Sequence, residues 1–364
     1  MGETVLLTGF PGFLSARLIK KIAQHQPNVQ MYLLCQPHLM DKGKKEILQI
    51  VEHLSLSASQ FILLEGDISL NRLGLSEDMY DKLVNEVQVV WHLAAIYDLA
   101  VPKDIAYKVN VTGTENVNEL VRKCKKIRRY NYFSTAYVAG TREGTIYESE
   151  LITPPSFRNY YERTKFEAEC IVEPLKSELP VTIFRPSIVV GHSETGETAK
   201  FDGPYMVLNM LVALRRLPVL PQIGINTTET NLVPYNYVID AAYFLGTNSI
   251  GIGKTYHLTN PNPIAVSELY RQLMRELLRK RPYGKIPLFV GKWVLHIPAI
   301  RKHLRVEKEA IDYFVGNGLF DCTQAMTDLQ STTIRCPSVT EIIPALVAFY
   351  QKNYDNPQLH IHVS

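Results

Sequence analysis

The sequence predicts an α/β fold: a doubly wound parallel β-sheet with a smaller, mostly helical C-terminal region. Short apolar runs alternate with helical stretches over about the first 190 residues, as in sheets whose parallel strands are joined by crossover helices. The first apolar run leads directly into a glycine-containing turn and a helix. From residue 264 onward the pattern is mainly helical.

Composition limits the class of protein. The chain has 364 residues, of which 46% are hydrophobic and 21% charged, as in a soluble globular protein with one large domain or two smaller ones. A net charge of +3 gives no strong field for a polyanion, so no nucleic-acid partner is predicted. The N-terminus has no basic segment and no apolar run could span a bilayer, so we expect neither a signal peptide nor a transmembrane segment.

The cysteines indicate a reducing compartment. They are five in number and scattered, at Cys35, Cys124, Cys170, Cys322 and Cys336. No pair has the spacing of a metal site, so no metal centre is predicted. We interpret them as reduced thiols and expect a cytoplasmic protein.

The turn after the first strand is a candidate binding site. Residues 4–8 fit a buried parallel strand, and Gly9, Gly12 and Ser15 follow in a GxxGxxS pattern before a helix. Gly9 allows the tight turn, Gly12 lets the backbone approach a pyrophosphate, and the helix N-terminus offers N–H groups and a positive dipole end. We predict dinucleotide binding here; a plain strand-to-helix turn is the alternative.

The second strand, residues 30–35, should end near the adenosine ribose. The loop after it begins with Gln36 and contains neither an acid, which would select a free 2′-hydroxyl, nor an arginine, which would select a 2′-phosphate. Lys42, Lys44 and Lys45 follow and could reach a phosphate, which favours NADP over NAD. A solvated lysine face explains the same three residues equally well.

The third and fourth strands, residues 61–68 and 87–95, end in residues suited to a nucleotide. Asp67 could accept a hydrogen bond from the adenine amino group, and the small pair Ala94-Ala95 would let a cofactor pass closely. His92 lies inside an apolar run, so we interpret it as a buried, hydrogen-bonded core histidine rather than a base.

Residues 110–126 are predicted to form a helix with Asn110 near its start. Its end overlaps a basic run at residues 122–129, which raises nucleic-acid binding as one interpretation. We favour the other, a helix C-terminus whose cations complement the dipole, because neither interleaved aromatic residues nor a second basic patch supports the first.

The fifth and sixth strands are residues 131–138 and 181–191. The fifth carries two hydroxyls, Ser134 and Thr135, and a hydroxyl there could hold a substrate carbonyl.

Tyr161 and Lys165 form the candidate catalytic pair. Their stretch lacks Gly and Pro and is typical of a helix, on which positions one turn apart share a face. The cation should lower the pKa of the Tyr161 phenol, giving a proton donor that works near neutral pH. A surface Tyr and Lys on an ordinary amphipathic helix is the alternative.

Seven motifs occur in order along the chain: TGFPGF (8–13), GDI (66–68), HLAA (92–95), NVTGT (110–114), FSTAYV (133–138), YERTK (161–165) and FRPSIVVG (184–191). As a set they resemble the extended short-chain dehydrogenases/reductases, which have a Rossmann-type fold. STAYV, RPSIVVG and DGP at 202–204 most resemble fatty acyl-CoA reductases and the thioester reductase domains of carboxylic acid reductases and peptide synthetases, the male-sterility-type NAD-binding family.

The resemblance implies roles for individual residues. Tyr161 would donate a proton to the carbonyl oxygen, Lys165 would hold the nicotinamide ribose, and Thr135, with Ser134 as the alternative, would hydrogen-bond the carbonyl. The implied cofactor-binding residues are Thr8, Gly9, Phe10, Pro11, Gly12, Phe13, Leu14, Asp67, Ile68, Leu93, Ala94, Ala95, Asn110, Ser134, Tyr161, Lys165, Pro186, Ser187 and Ile188. Gln36 and Ala16 stand where thioester reductases often have arginine, so the choice between NADP and NAD stays open.

The resemblance also divides the chain. Residues 1–191 and 231–262 would form the dinucleotide-binding domain, and residues 192–230 and 263–364 the substrate-binding region. Four further expectations concern that second region. Residues 205–217 would form an apolar helix that binds substrate or packs on the core, with Ser267 capping a later helix and residues 339–350 forming an amphipathic one. Residues 287–304 would line an acyl channel, touch a membrane surface or pack on the protein's own core.

The predicted function is an NAD(P)H-dependent reductase of a carbonyl group. A fatty acyl or carrier-bound thioester, delivered by CoA or a carrier protein, is the leading substrate, and the cofactor supplies the hydride chemistry. A sugar-nucleotide epimerase or a hydroxysteroid-type dehydrogenase is the second interpretation, and a non-catalytic NAD(P)-binding sensor the third.

Overall fold

A computed structural model describes residues 2–98, 100–223, 228–286, 297, 299, 301, 304–306 and 318–360. The strands are β1 (Thr4–Thr8), β2 (Gln30–Cys35), β3 (Phe61–Glu65), β4 (Val89–His92), β5 (Arg129–Phe133), β6 (Gly144–Ile146), β7 (Val181–Pro186), β8 (Ile188–Val190), β9 (Gln222–Ile223), β10 (Glu229–Thr230), β11 (Leu232–Pro234), β12 (Thr255–Leu258), β13 (Ile264–Ala265), β14 (Lys285–Ile286) and β15 (Gly318–Phe320). The helices are α1 (Phe13–His25), α2 (Met40–Leu54), α3 (Glu77–Glu86), α4 (Lys103–Ala106), α5 (Gly113–Lys123), α6 (Tyr160–Val172), α7 (Pro204–Leu214), α8 (Tyr235–Thr247), α9 (Val266–Leu278), α10 (Thr323–Leu329) and α11 (Val339–Asn353).

Seven strands form one parallel sheet in the order β3-β2-β1-β4-β5-β7-β12. β1 pairs with β2 on one side and with β4 on the other, so the strand order reverses at β1. Ligands of open α/β sheets bind outside the carboxyl ends of the strands at such a reversal. The predicted doubly wound parallel sheet is therefore confirmed, and its crevice is set between β1 and β4.

Separate apolar cores lie on the two faces of this sheet. One includes Leu18 and Ile19 of α1 with Val238 and Ala242 of α8. The other includes Val117 of α5, together with residues of α6 and the opposite-facing side chains of the strands. Because successive side chains of a strand point to opposite faces, the strands feed both cores and carry near-continuous apolar sequence.

A third core lies in the C-terminal region, where α7, α9 and α11 pack around Phe201, Tyr205 and Tyr350. The short helix α10 packs instead against β12 and α8. The mostly helical character expected of this region is confirmed. No helix in the described parts of the chain is both long and apolar enough to cross a membrane.

Several predicted boundaries are wrong. Helical backbone begins at Lys103 rather than at Asn110, passes through a π-helical turn at Tyr107–Thr112, and ends at Lys123. Asn110 lies in the π turn, where its buried side chain bonds the loop after β4. The run at 181–191 divides into β7 and β8. β12, which closes the sheet beside β7, is a strand that sequence reasoning missed.

The C-terminal expectations had mixed outcomes. Ala265, not Ser267, is the N-cap of α9. The helix predicted at 205–217 ends at Leu214, and the one predicted at 339–350 is confirmed as α11, with Ser338 and Glu341 forming a capping box. The segment 287–304 lies largely outside the described residues.

Candidate active site

The turn between β1 and α1 leaves no space for side chains at its glycines. Gly9 has a φ of +88°, and a Cβ there would stand 2.7 Å from the backbone nitrogen of Ala94, in the loop after β4. A Cβ on Gly12 would stand 2.7 Å from the carbonyl oxygen of Gly9. Helix α1 begins at Phe13, and Gly12 provides no side-chain cap. A bare glycine turn before a helix N-terminus is the arrangement that accepts a pyrophosphate.

The end of β3 carries the acid expected at the adenosine. The Asp67 carboxylate accepts hydrogen bonds from the backbone N–H of Ser69 (2.8 Å) and from the Gln36 side-chain amide (3.0 Å). Burial acts to raise the pKa of Asp67, but the bonds from Ser69 and Gln36 hold it below its ordinary value. The carboxylate therefore stays an acceptor well into acid. The side chain of Ile68, the next residue, packs closely on Gly113. A Cβ on Gly113 would stand 2.6 Å from the Ile68 side chain.

The loop after β4 is held by hydrogen bonds from both neighbouring elements. The Thr8 hydroxyl accepts from the N–H of Ala94 (3.2 Å) and meets the His92 ring nitrogen (2.7 Å). The Asn110 side chain accepts from the N–H of Ile96 (2.9 Å) and donates to the Thr164 hydroxyl of α6 (3.0 Å). Asn110 thus positions the small-residue loop that runs beside Gly9.

His92 is the core histidine that the sequence predicted. Its second ring nitrogen meets the Thr114 hydroxyl at 3.1 Å, and its side chain is buried. Burial lowers the pKa of His92 to about 3, with the nearby Lys165 cation acting in the same direction. The ring is neutral at physiological pH.

Helix α6 brings Tyr161 and Lys165 to the carboxyl end of β5. Asn159 starts the helix, its side-chain oxygen accepting from the N–H of Glu162 at 2.9 Å. The Tyr161 hydroxyl is hydrogen-bonded with the side chain of Thr135, just after β5. The Lys165 ammonium donates to the carbonyl of Phe133 (2.7 Å), the last residue of β5.

The predicted direction of the Tyr161 pKa is wrong. Burial raises the pKa of Tyr161 to about 12, and the hydrogen bond with Thr135 lowers it by less. The Lys165 nitrogen donates to the Tyr132 hydroxyl (2.9 Å) and lies 4.4 Å from the centre of that ring. Burial also lowers the pKa of Lys165 itself to about 7, partly opposed by Glu169. Spacing along the helix predicts a direct effect of the Lys165 cation on the Tyr161 pKa, but burial is the main cause of the raised value.

The two hydroxyls after β5 have different partners. The Ser134 hydroxyl donates to the buried carboxylate of Glu169, one turn beyond Lys165 on α6. Glu169 also receives two bonds from Arg185, from Nε at 2.8 Å and from a terminal nitrogen at 2.5 Å. Thr135 is the hydroxyl that meets Tyr161, and it also donates to the carbonyl of Pro186 at 3.4 Å.

The residues after β7 close the other side of the site. The Ser187 hydroxyl donates to the side chain of Asn231 (2.7 Å), and the N–H of Ile188 donates to the carbonyl of the same residue (3.2 Å). These bonds fix the break between β7 and β8. Pro186 is thereby held against Thr135.

Some polar residues near the site escaped sequence reasoning. Glu169 continues the spacing of Tyr161 and Lys165, so a third position on the same face was the available signal. Glu148 gave none, because its partners are distant in the chain. Its carboxylate accepts from the backbone N–H groups of His257 (2.9 Å), Gln324 (2.6 Å) and Ala325 (3.2 Å). Burial raises the pKa of Glu148 to about 7, against the effect of these bonds.

A family model of NAD-binding domains described as "Male sterility protein" matches residues 7–242. The chain belongs to this family. The match spans the Gly9 turn, the Tyr161–Lys165 helix and most of α8. The residues present suit the dinucleotide that such domains bind, because the turn has no room for a Cβ at Gly9 or Gly12.

The chain of this male sterility family member is also similar in sequence to individual reductases and synthases. It is 23% identical over 362 residues to fatty acyl-CoA reductase 1 of Arabidopsis thaliana, covering 80% of this chain and 74% of the relative. It is 26% identical over 277 residues to one of the linear gramicidin synthase proteins of Brevibacillus parabrevis, covering 73% of this chain but only 5% of that much longer relative.

A solved structure extends the likeness to nearly the whole chain. The terminal R domain from the myxalamid PKS-NRPS biosynthetic pathway superposes with a TM-score of 0.79 at 27% identity, covering 97% of this chain and 91% of the other. Together the family and its relatives place the chain among the NAD(P)-dependent oxidoreductases of the extended short-chain dehydrogenase/reductase group.

Proposed function

We propose that the protein is an NAD(P)H-dependent reductase of an acyl thioester, with Tyr161, Lys165 and Thr135 as its catalytic residues. One observation carries the proposal. Tyr161 and Lys165 both reach the carboxyl end of β5, Thr135 is bonded to the Tyr161 hydroxyl, and the β1–α1 glycine turn opens at the same edge of the sheet.

Each residue has a distinct part. Reduced nicotinamide, when bound, supplies a hydride to the carbonyl carbon of the substrate. Thr135 hydrogen-bonds the substrate oxygen and orients it toward Tyr161. Tyr161 gives its phenolic proton to that oxygen as negative charge develops there, and with a thioester the thiol then departs to leave an aldehyde.

Lys165 acts through its charge and its donors. An ammonium has three N–H donors, and Lys165 directs two of them to the Tyr132 hydroxyl and the Phe133 carbonyl. We assign the third to the nicotinamide ribose. With a pKa of about 7, the amine loses its charge in mild alkali, so turnover should decline as pH rises above that value.

The thioester is favoured by relatives and by α7. The relatives are named as a fatty acyl-CoA reductase and a linear gramicidin synthase, both of which suggest an acyl group on a carrier thiol. Helix α7 is apolar along its length apart from Asn209, and it belongs to the proposed substrate-binding region, residues 192–230 and 263–364. A nucleotide sugar would need more polar partners than this helix offers.

NADP is the preferred cofactor in this proposal. Lys42, Lys44 and Lys45 lie on α2, the helix after the adenosine end, and Lys44 is 3.8 Å from Asp41. The Gln36 side-chain amide donates a hydrogen bond to Asp67. It therefore does not serve, as an arginine would, to bind a phosphate on the 2′-oxygen of the adenosine ribose. We therefore assign these three lysines to the 2′-phosphate of NADP.

A cytoplasmic location is part of the same proposal.

The test is consumption of reduced nicotinamide by the purified protein with matched panels of acyl-CoA thioesters, aldehydes, ketones and nucleotide sugars. We expect oxidation with thioesters, faster with NADPH than with NADH, and none with nucleotide sugars. Tight cofactor binding without turnover of any substrate would instead support the non-catalytic sensor. NADPH consumption confined to ketones would support the dehydrogenase alternative. Conversion of a nucleotide sugar to its epimer without net NADPH consumption, followed by chromatography, would support the epimerase alternative.

A further inference from the structure

A surface outside the candidate site combines clustered cations with exposed apolar side chains. It consists of two segments, residues 215–219 after α7 and residues 279–285 after α9, which we call the basic surface. Its cations are all exposed: Arg215, Arg216, Arg279, Lys280, Arg281 and Lys285. The expectation that no second basic patch accompanies residues 122–129 is wrong: four of these cations lie within residues 279–285, and the fold brings Arg215 and Arg216 beside them.

Hydrogen bonds join the two segments. The Lys280 ammonium donates to the backbone carbonyl of Arg215 at 3.1 Å. The N–H of Tyr283 donates to the carbonyl of Leu220 at 2.9 Å, and the short parallel pair of β9 and β14 continues the contact. Backbone hydrogen bonds and the Lys280 side chain therefore hold the two segments together. The other five cations are not needed for this contact.

The charge of this surface dominates that of the chain. Neither segment contains Asp or Glu, so its six cations contribute +6, while the whole chain carries +3. The remainder is therefore net −3, the difference between +3 and +6. Glu276, in the last turn of α9, pairs with Arg279 at 3.2 Å and offsets part of one cation. An anionic partner would be attracted to this side of the molecule.

Apolar side chains project among these cations. Leu217 and Val219 are each 46% exposed, and Tyr283 is 77% exposed, more than any other large apolar side chain in the described residues. Exposed apolar groups rimmed by cations are typical of proteins that bind the interface of a bilayer. Tyr is also enriched at the headgroup level of membranes.

We propose that the basic surface binds the anionic face of a lipid membrane. The cations would lie at the phosphate level, and Leu217, Val219 and Tyr283 would enter the boundary between headgroups and acyl chains. An acidic protein would pair with the cations but would bury less of these three apolar side chains than a bilayer would. Nucleic acid would leave the same side chains exposed to phosphate and water.

The position of the surface suits the proposed substrate. α7 has 11 residues, so it spans roughly 16 Å from the basic surface to Gly203 at its other end. A Cβ on Gly203 would stand 3.3 Å from the side chain of Ile188, beside the candidate site. The apolar helix thus joins the membrane contact to the site. This link rests on the proposed function, but the membrane contact does not.

Co-sedimentation with vesicles tests the proposal on the full chain. Vesicles of phosphatidylcholine with about a quarter phosphatidylserine should pellet the protein, and pure phosphatidylcholine vesicles should do so far less. Each cation near an anionic surface changes binding on the order of fivefold, so the triple variant Arg216→Glu, Arg281→Glu, Lys285→Glu should lose roughly 100-fold in partitioning. Leu217→Ser with Val219→Ser should also weaken binding and reduce its persistence in high salt.

The basic run at 122–129 provides a matched control. Lys125, Lys126 and Arg128 belong to another part of the chain, and their triple replacement by Glu makes the same charge change. This control should keep most of the binding, with circular dichroism and thermal midpoint confirming that all variants fold.

Three results would overturn the proposal. The unchanged protein could remain in the supernatant with anionic vesicles. The control could lose as much binding as the triple variant, which would indicate diffuse charge attraction. The protein could bind an acidic acyl carrier protein through the basic surface and ignore vesicles, which would make it a protein-docking site. Because sedimentation does not depend on turnover, none of these results bears on the reductase proposal.

Discussion

Replacing Lys165 by methionine should stabilise the fold at neutral pH while removing activity. The side chain is 2% exposed, and burial lowers the pKa of its amine from 10.5 to about 7. The unfolded chain keeps its proton up to about pH 10.5, so between the two values the unfolded state binds more protons and folding stability rises with pH. Below pH 7 both states are protonated, and the native state bears the full cost of burying the charge.

The size of this effect follows from the pKa difference. About 3.5 units at about 1.4 kcal/mol each give roughly 4 to 5 kcal/mol at low pH. Methionine removes this cost but also removes the bonds to Tyr132 and Phe133, each worth about 1 kcal/mol. Lys165→Met should therefore be about 2 to 3 kcal/mol more stable than the unchanged protein below about pH 7. The advantage should shrink with rising pH and reverse at about pH 9, where the remaining cost of burying the charge equals the ~2 kcal/mol of the two lost bonds.

The assay is denaturant unfolding of both proteins across this pH range, because the difference between them cancels the titration of every other group. Lys126→Met, which changes an exposed lysine, should shift stability by less than about 0.5 kcal/mol at any pH. The reasoning would be refuted by a methionine variant that is less stable at neutral pH, with a difference that pH does not change. Lys165 would then be a structural residue rather than a buried functional charge.

Two further predictions concern the turn and the buried acid. Gly9→Ala should weaken NADPH binding, measured by fluorescence titration, and should cost about 1 to 3 kcal/mol in backbone strain. The reason is that Gly9 has a φ of +88° and a new Cβ would meet Ala94. Gly253→Ala is the control: Gly253 has a φ of +75° but nothing within 4 Å of its Cβ position, so this variant should keep NADPH binding. Glu148 has a folded-state pKa raised from 4.5 to about 7, so its contribution to stability is present below pH 4.5 and is lost as pH rises through 7. Unfolding of Glu148→Gln relative to the unchanged protein should reveal this loss as a change of about 2 to 3 kcal/mol between about pH 5 and about pH 8, and a constant difference would contradict it.

Local structure could be predicted from the sequence where a residue type or a pattern is compatible with only one conformation or environment. Gly9 and Gly12 predicted the turn because only glycine fits so near Ala94, and the turn has that form. The apolar run around His92 predicted a buried, hydrogen-bonded ring, and the ring is buried with Thr8 and Thr114 as its partners. Strand–helix alternation predicted the parallel sheet because crossover helices require it.

Properties that depend on burial or on distant partners could not be predicted in this way. The spacing of Tyr161 and Lys165 predicted a shared face but not the burial that raises the pKa of the phenol to about 12. The partners of Lys165 come from β5, a strand that the helix sequence does not reveal. The basic surface likewise needs the contact between Lys280 and Arg215 before its six cations form one patch.

The most direct test of the central claim compares two adjacent tyrosines of α6. Tyr161→Phe removes the hydroxyl bonded to Thr135, whereas Tyr160→Phe removes an exposed one at the start of the same helix. With an acyl-CoA thioester and saturating NADPH, Tyr161→Phe should lower kcat by about 100-fold or more while the Kd for NADPH stays within about twofold, and Tyr160→Phe should change neither. Equal turnover in the two variants, with NADPH bound normally, would contradict the assignment of Tyr161 as the proton donor.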